Sequence, residues 1–473
     1  MRPTFILSLL VLNAFAQTNH YYFGNLHSHT AFSDGNKDSV SSGVNTPAAS
    51  FSYAKLSDNF DFLGISEHNH YSTSKNPGFK LPRYMEGLTM ADAANQEGSF
   101  LALFGMEYGI SSGNNGHVII YGFNQLIGWE TNVGGSTGNN YDIYNAKNDY
   151  TGLFQKVRNN VNSFGYLAHP YWTDFSTDGT TSKALAFSDY NAMFDSAIVG
   201  MPLRSGNAFS TNHTYSDYPT EHYFDYFKKM LYIGYHLGIG YDHDNHYTNF
   251  GRSNGGRLVI IAPSLSRASL YKAMKDMHFY GSDDSNAELE FTCAGNIMGT
   301  IVSGNHYPVI KVTHSDPDGE TADTVRIWRG HSNSGGLWAE VISMTTGNNT
   351  STYTDYSIVP GTEYYYFTDV KQTDGQWMVS SPVWYTGIAP LTVSDITEEG
   401  WGCHVNYVNR QVSYSFADPD EYTITVSDLT GKPLLSQQSK KNGIISLSDL
   451  PAGIYLFQAN TAGRSMVKKL CLY

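Results

Sequence analysis

The amino-acid sequence predicts an α/β first half followed by small all-β domains. From residue 20 to about residue 285, short apolar runs typical of strands alternate with stretches typical of helices. This alternation requires crossovers and predicts a largely parallel sheet or a barrel. After about Asp284 the pattern changes to short alternating strands broken by Gly, Asn and Asp, which predicts a β-sandwich.

The elements of the first half are predicted from these runs. Several of the apolar runs end in a polar or ionisable cluster, and in α/β folds the carboxyl ends of strands form the active face. The predicted strands are residues 21–26, 60–66, 100–106, 118–123 and 164–168. The predicted helices are residues 47–56, 88–94, 149–161, 218–232 and 266–277.

The chain is acidic and poor in charged residues. It has 473 residues, with 29 Lys and Arg against 43 Asp and Glu, a formal net charge of −14. Nucleic-acid backbones are bound by clustered Lys and Arg, so we expect no nucleic-acid partner. Charged residues make up only 15% of the chain, while 35 Tyr and 45 Gly are present, which is typical of an extracellular protein.

The N-terminus predicts export. Arg2 precedes an apolar run over residues 5–12 and an Ala14-Phe15-Ala16 cleavage site, so residues 1–17 are predicted to be a cleaved signal peptide. No later run reaches the roughly 18 apolar residues of a membrane span, so we expect no membrane span and a secreted or cell-surface location. The odd, late set of Cys293, Cys403 and Cys471 argues against a disulfide framework.

Histidine is concentrated in the first half, where 12 of the 17 histidines fall at or before His246. In the segment Gly24 to Gly35, His27 and His29 are two apart at the end of a predicted strand. Their side chains therefore project to the same side and are placed to bind one ion. Asp34 follows on a turn that Gly35 makes possible.

Further imidazoles and carboxylates stand where later predicted strands begin or end. The absence of Cys among them disfavours an iron–sulfur or structural zinc site and favours cations that prefer nitrogen and oxygen ligands. These residues are His68, Glu107, His117, His169, Asp244 and His246.

In this order the segments resemble the polymerase and histidinol phosphatase (PHP) superfamily of metal-dependent phosphoesterases. The residues that match are His27-x-His29 with Ser33-Asp34-Gly35, Glu67-His68, Gly105-x-Glu107, strand-borne His117, Ala168-His169-Pro170 and Asp244-x-His246. The secreted branch related to carbamate hydrolases, the CehA/McbA-like proteins, is the most similar. The resemblance covers about residues 20–387. Glu67 departs from the Asp usual in the superfamily, but this position is not the principal ligand.

The resemblance implies a distorted (β/α)7-type barrel and two or three divalent ions, Zn, Mn or Fe. It implies that His27, His29, Glu107 and Asp244 hold the first ion. Glu107 bridges to a second ion held by His117 and His169, and a third is held by Asp34, His68 and His246.

The implied reaction is attack of a metal-activated hydroxide on a small phosphorylated substrate, with a diester slightly favoured over a monoester. The leaving group needs a proton, and His243, His213, His222 and His70 are the candidate donors, with His243 named first although the sequence does not choose among them. Arg252 is the predicted phosphate clamp, ahead of Arg257 and Arg204, because a planar guanidinium binds phosphate through two hydrogen bonds.

Two other functions compete with this one. The same metal centre is suited to hydrolysis of a carbamate or carboxylic ester, an activity found in the same branch. A non-catalytic surface binding protein is the alternative from a different class, and the complete ligand set argues against it.

The C-terminal region predicts two further modules. Residues 286–388 are predicted to form a β-sandwich, in which the adjacent Tyr364, Tyr365 and Tyr366 are core residues rather than a sugar-binding surface. Residues 389–414 are a predicted linker after the catalytic domain of residues 18–285 and this sandwich. Residues 415–473, with Lys468-Lys469-Leu470 near the end, resemble a type IX secretion sorting domain and imply that the secretion machinery is a partner.

Overall fold

The structure is a computed structural model, and two groups of contacts divide the chain into two units. The first contains Met1–Phe227 and Leu237–Glu288, and the second Lys228–His236 and Leu289–Tyr473. The predicted signal peptide, residues 1–17, lies outside the residues that the structure describes. The described residues are 19–70, 81–109, 116–130, 140–147, 149–171, 174–175, 190–206, 210–211, 222–392, 401–406, 410–416, 421–439, 443–461 and 464–472.

Strands and helices alternate through most of the first unit. Eight of the ten predicted elements begin and end within two residues of their predicted bounds. The predicted helix 88–94 begins earlier, at Leu81, and the predicted helix 218–232 begins later, at Phe224. The elements are β1 His20–Asn25, α1 Ser39–Ser42, α2 Pro47–Ala54, β2 Phe62–His68, α3 Leu81–Ala94, β3 Leu101–Tyr108, β4 His117–Tyr121, β5 Ile127–Gly128, β6 Ile143–Tyr144, α4 Tyr150–Asn159, β7 Phe164–Ala168, α5 Ala192–Asp195, β8 Ile198–Pro202, α6 Phe224–Ile233, β9 Gly238–Gly240, β10 Arg257–Ala262, α7 Arg267–Lys275 and β11 Phe279–Ser282.

Nine strands of this unit form a mixed sheet in the order β11-β10-β1-β2-β3-β4-β7-β8-β9. Among the described residues, β1–β2, β2–β3, β7–β8 and β8–β9 are parallel, and the other four neighbouring pairs are antiparallel. The central strands β2, β3, β4 and β7 are almost entirely buried, as expected of strands covered on both faces.

The predicted barrel is wrong. Strand residues outnumber helix residues, 43% against 16%, and the sheets are large and mixed. In the described part of the chain no ladder joins the end strands β9 and β11. One physical reason is the short connection of residues 109–116 between β3 and β4. A parallel pair needs a crossover of about a dozen residues or more, so these two strands pair antiparallel.

Local sequence signals explain where several helices begin. The hydroxyl of Thr46 accepts a hydrogen bond from the Ala49 amide at 3.2 Å, and Pro47 follows as the first residue of α2. Ser266 caps α7 in the same way, through the Ser269 amide at 3.1 Å. These caps satisfy amides that have no partner within the helix.

From Glu288 onward the described residues form strands and turns. The strands are β12 Glu288–Cys293, β13 Asn296–Ile297, β14 Ile301–His306, β15 Val309–Ser315, β16 Ala322–Gly330, β17 Glu340–Thr346, β18 Thr350–Thr354, β19 Glu363–Gln372, β20 Trp377–Ser380, β21 Val383–Thr392, β22 Trp401–Asn406, β23 Gln411–Phe416, β24 Tyr422–Asp428, β25 Pro433–Ser439, β26 Gly443–Ser446, β27 Gly453–Thr461 and β28 Arg464–Leu472.

The second unit contains several sheets. β14, β21, β19 and β20 are neighbours in one of them, and β16 joins β19 to β17. A four-stranded sheet has the order β13-β12-β15-β18. Tyr364, Tyr365 and Tyr366 on β19 are 6%, 2% and 0% exposed, so they are core residues rather than a binding surface.

The C-terminal strands share one hydrophobic core. It includes Cys403 and Val405 of β22 and continues to Leu470 and Leu472 of β28. The strands β22 and most of β23 therefore pack with the module whose start we placed at residue 415, although they lie in the predicted linker, residues 389–414.

Candidate metal centre

The nine predicted ligands lie at one edge of the first unit's sheet. His27 and His29 follow β1, His68 is the last residue of β2, and Glu107 is the next-to-last residue of β3. The register pairs His68 with Glu107. His117 begins β4 and lies opposite Ala168, so His169 is directly beyond this pair, and Asp244 and His246 follow β9.

The segment after β9 is held against the segment after β1 by backbone hydrogen bonds. The Asp244 amide donates to the His27 carbonyl at 2.9 Å, and the His29 amide donates to the Asn245 carbonyl at 3.1 Å. Asp244 and His169 have φ values of 46° and 30°, which are unfavourable for residues other than glycine. Such backbone strain concentrates at functional sites, where the surrounding structure maintains it.

The turn that carries Asp34 is held by Glu67 and by close backbone packing. The fully buried Glu67 carboxylate accepts a hydrogen bond from the Thr30 amide at 3.0 Å and further bonds from the Thr30 and Ser33 hydroxyls. A Cβ atom at Gly35 would lie 2.1 Å from the His29 carbonyl oxygen, so only glycine fits there. Glu67 therefore stabilises the turn that carries Asp34, through its hydrogen bonds with Thr30 and Ser33.

Among the described residues of the first unit, three groups of side chains offer ligand atoms that lie within 4.8 Å of one another. One contains the four residues predicted for the first ion, and a second adds His29 to the three predicted for the third ion. The groups are His27, His29, Glu107 and Asp244; His29, Asp34, His68 and His246; and His68, Glu107 and His117. His169 stands beside the last group, with Nε2 at 3.1 Å from Glu107 Oε1.

Glu107 is at the centre of these groups. Its side chain is fully buried, and its Oε2 atom forms no hydrogen bond within the described structure. Five imidazole nitrogens surround the two oxygens: His117 Nδ1 at 2.6 Å and His169 Nε2 at 3.1 Å from Oε1, and His68 Nδ1 at 2.9 Å, His29 Nε2 at 3.2 Å and His27 Nε2 at 3.4 Å from Oε2.

The other two carboxylates have similar surroundings. Asp244 Oδ1 lies 3.2 Å from Nε2 of both His27 and His29. Asp34 Oδ1 lies 3.2 Å from His246 Nε2 and 3.5 Å from His68 Nε2. These are distances between ligand atoms that point toward a common centre.

The pKa values of the histidines and carboxylates show that these groups stabilise one another's charged forms. Burial alone lowers the pKa of His27, but Asp244 and Glu107 raise it, and the result is well above the ordinary value. Burial alone raises the pKa of Glu107, but His117 and His68 lower it well below the ordinary value.

The same balance holds for the other ligands. Burial lowers the pKa of His169, but Glu107 raises it to about 9. Burial raises the pKa of Asp34, but His246 and His68 lower it below its ordinary value. The three carboxylates thus stay ionised and draw positive charge to the imidazoles around them.

These side chains fit divalent cations. The nitrogens of His27 and His29, both Nε2, face each other at 3.3 Å, and the buried Glu107 Oε2 and Asp34 Oδ1 have no hydrogen-bond donor in the described structure. Orphaned buried acceptors and facing imidazole nitrogens are costly unless a positive charge lies between them. Imidazole and carboxylate donors without thiolate suit Zn, Mn or Fe.

The sequence-based prediction missed one important side chain, Asp242. Its carboxylate Oδ2 lies 3.2 Å from His27 Nδ1, and both side chains are almost completely buried. A carboxylate at this nitrogen fixes the ring so that Nε2 points into the centre. The signal in the sequence was a second aspartate two residues before Asp244.

His243 and Arg252, the predicted catalytic pair, are engaged elsewhere. His243 Nε2 lies 2.7 Å from the Gly256 carbonyl, and its ring stacks on Phe60. Burial and Arg257 lower the pKa of His243 to about 3, so the ring is neutral near pH 7. These contacts do not support a role as proton donor.

Arg252 anchors the end of helix α2. Its Nε donates to the Ser57 hydroxyl at 3.0 Å, its Nη2 donates to the Leu56 carbonyl at 2.8 Å, and its guanidinium lies 4.6 Å from the centre of the Tyr53 ring. The contacts do not support its predicted role as phosphate clamp. They use Nε and one N–H of Nη2 for contacts that hold the chain after α2.

The other predicted arginines and histidines have the following surroundings. Arg257 is fully buried and donates to backbone carbonyls, including Asn59 at 2.9 Å, and Arg204 forms an ion pair with Asp283 at 2.8 Å. His70 stacks on Trp129, with its pKa lowered to about 3 by burial and by His68. His213 lies outside the described residues. His222 is described and lies just before α6.

Comparison with known proteins identifies the C-terminal module. Residues 406–473 match the family model of the secretion system C-terminal sorting domain, which indicates export by type IX secretion, engagement with that machinery, and a surface or secreted location. No curated protein matches the chain. In the part of the chain that the structure describes, none of the helices has both the length and the apolar character to cross a bilayer.

Two solved structures have local likeness to the chain. One is a tetra-tandem repeat in the extending region of a large adhesion protein, 14% identical, covering 46% of this chain and 57% of that chain with a TM-score of 0.16. The other is the FN1-FN3 domains of chicken CNTN1, 10% identical, covering 35% of this chain and 64% of that chain with a TM-score of 0.14. The chain spans less than two thirds of either, and TM-scores this low carry no argument.

Proposed function

We propose that the first unit is a metal-dependent phosphoester hydrolase related to the PHP superfamily. The observation that supports this most is the arrangement of five imidazole nitrogens within 3.4 Å of the buried Glu107 carboxylate. No ordinary core needs such a group, because burying several ionisable side chains together is costly.

The relation to the superfamily rests on the ligands and their order along the chain. All nine matching residues lie at one edge of the sheet, although the sheet is not the predicted barrel. The Glu67 departure also fits, since Glu67 bonds to the Thr30–Ser33 turn and is not needed as a ligand.

Each set of side chains has a role in this proposal. His27, His29 and Asp244 hold one cation with Glu107, and Asp34, His68 and His246 hold another. His117 and His169 lie beside Glu107 Oε1 and would add their ring nitrogens as ligands there. When bound, divalent cations polarise the phosphoryl oxygens and lower the pKa of water to near neutrality.

The chain's own residues position these ligands. Asp242 holds His27 by its Nδ1 atom, and Glu67 holds the turn before Asp34. Neither His70 nor His243 is an imidazolium cation near neutral pH, so the proposal assigns proton donation to neither.

The experiment that tests the proposal compares rates on three substrates. Purified mature protein, supplied in turn with Zn²⁺, Mn²⁺ and Fe²⁺, is assayed on an aryl phosphate monoester, an aryl phosphodiester and an aryl carboxylic ester. We expect hydrolysis of at least one phosphate ester, with the diester favoured, and a loss of at least about a hundredfold in His27→Ala. His20→Ala, an exposed histidine in the same unit, is the control.

Two results contradict the proposal. Faster hydrolysis of the carboxylic ester than of either phosphate ester would assign the centre to the ester and carbamate alternative. Metal binding without hydrolysis of any substrate would favour a binding protein.

A further inference from the structure

A second candidate site lies in the second unit. It is a cleft of about 740 Å³ within residues 290–385. This volume is in the range of small-molecule binding pockets. One wall is the sheet of β12, β15 and β18, and the other is formed by β14 and nearby tyrosines.

The sheet wall is polar because alternate side chains of its strands face outward. Along β15 every second residue is exposed or half-buried, while Ile310, Val312 and His314 between them are buried. The register pairs Val309 with Thr354 and Lys311 with Thr352, so both threonines lie on the cleft side.

The hydroxyls on this wall are available to a ligand. Those of Thr292, Thr352 and Thr354, and that of Ser303 on the opposite wall, form no side-chain hydrogen bond with any described residue. A hydroxyl donates one hydrogen bond and accepts two, so a row of them suits a ligand that carries hydroxyls itself.

Tyrosine rings form the apolar part of the cleft. Tyr356 and Tyr307 meet edge to face, with ring centres 5.3 Å apart. Tyr385 is buried and donates its hydroxyl to the His306 carbonyl at 2.5 Å. Tyr356 remains 37% exposed even though the Lys469 ammonium lies 6.0 Å from its ring centre.

The charge on the wall indicates a neutral ligand. Glu290 and Lys311 line the cleft with one charge of each sign, and neither has an ion-pair partner among the described residues. The wall therefore carries no net charge that would select an anion or a cation. Aromatic rings next to unpaired hydroxyls match a sugar, which has an apolar ring face and hydroxyls at its edge.

We propose that this cleft binds a neutral oligosaccharide or the end of a neutral polysaccharide. The exported location of the protein places the cleft where such glycans occur. Tyr356 packs against the apolar face of a sugar ring, and Thr352 and Thr354 bond to its hydroxyls. This inference does not depend on the metal centre.

The test uses the full mature chain and a panel of glycans. Isothermal titration is carried out with neutral oligosaccharides of three to six sugars, namely β-glucans, xylan, mannan and α-glucan fragments, and with an oligogalacturonate. We expect one neutral class to bind, Tyr356→Ala to weaken its affinity at least about tenfold, and Thr352→Val to weaken it by a smaller factor.

The matched control is Tyr144→Ala, which removes an exposed tyrosine of the first unit and leaves the cleft intact. Circular dichroism and a thermal melt verify that each variant is folded. Thr352→Val keeps the size of the side chain, so it tests the hydroxyl even if Tyr356→Ala is unstable.

Three outcomes overturn the proposal. The first is no binding of any neutral glycan, and the second is binding that both cleft variants preserve. The third is binding of oligogalacturonate alone with loss in Lys311→Ala, which would make the cleft an anion site.

Discussion

The two units bury carboxylates in opposite surroundings. In the first unit, Glu107 Oε2 is buried without a hydrogen-bond donor and faces three imidazoles. In the second unit, Asp369 is equally buried but accepts hydrogen bonds from Arg326 at 3.0 Å and from the indoles of Trp328 and Trp377 at 2.6 and 2.8 Å.

Asp355 in the second unit follows the pattern of Asp369. It accepts hydrogen bonds from Arg329 at 2.9 Å, from the Tyr366 hydroxyl at 2.8 Å and from the Ser357 amide at 2.9 Å. Burial alone raises the pKa of Asp355, but these donors lower it below the ordinary value.

The difference shows how to tell a structural carboxylate from a ligand. Asp355 and Asp369 have a permanent cation and neutral donors within the chain, so their charge is already satisfied. The carboxylates of the first unit face imidazoles that are proposed ligands and that would be neutral with a metal bound. The first arrangement maintains the fold, whereas the second is suited to hold an ion.

Removing the central carboxylate of the metal centre should have the largest effect. Glu107→Gln keeps the size of the side chain but removes the charge shared by the ligand groups. We expect loss of bound metal, measured by plasma mass spectrometry, and a fall in phosphate ester hydrolysis on the order of a thousandfold. Full metal content in this variant would show that Glu107 is a structural residue like Asp369.

The corresponding change in the second unit should affect stability instead. Asp369→Asn leaves the partly buried indoles of Trp328 and Trp377 with a poorer acceptor and Arg326 without its counter-charge. We expect a loss of roughly 2–4 kcal/mol in the free energy of unfolding, measured by urea denaturation, with metal content and activity unchanged. A loss of metal with unaltered stability would show that Asp369 does not have the purely structural role described above.

A smaller effect is expected from the residue that orients a ligand. Asp242→Asn retains the shape of the side chain but weakens its hold on His27 Nδ1. We expect metal affinity to fall about 10- to 100-fold, with the fold intact. If titration with Mn²⁺ gives the affinity of the unaltered protein, the contact at 3.2 Å does not position the ring.

The smallest effect on activity is expected at Arg252. Its guanidinium is already bonded to Ser57 and Leu56, so Arg252→Ala should lower stability by about 1 kcal/mol and leave the KM for the phosphate ester nearly unchanged. A large rise in KM at unaltered stability would instead restore the predicted phosphate clamp.

Several features were predictable from sequence because they depend on local patterns. The positions of His27 and His29 after a strand and of Glu107 near the end of β3 agree with the sequence pattern, because strand ends bring side chains to one edge of a sheet. The cap at Thr46 and the tight turn at Gly35 follow from neighbouring residues in the same way.

The sheet's connectivity and the partners of individual side chains were not predictable. The antiparallel pairing of β3 and β4 depends on a short connection, and a strand pattern does not encode which neighbour it takes. His243 and Arg252 were chosen for their chemistry. Their contacts with Gly256 and Ser57 come from residues 13 and 195 positions away, which sequence patterns do not reveal.

The central claim is that Glu107 and the eight other predicted ligands hold metal, and calorimetric titration of the metal-stripped protein tests it most directly. Mn²⁺ and Zn²⁺ are titrated at pH 7.5 in buffers of different ionisation enthalpy. The pKa of His169 is about 9 and those of His27 and His29 are raised, so protons leave these rings when metal binds, and affinity strengthens as pH rises toward 9. The account predicts at least two equivalents of metal with proton release, both reduced in Glu107→Gln. Binding of less than one equivalent, or binding that Glu107→Gln leaves unaltered, would contradict it.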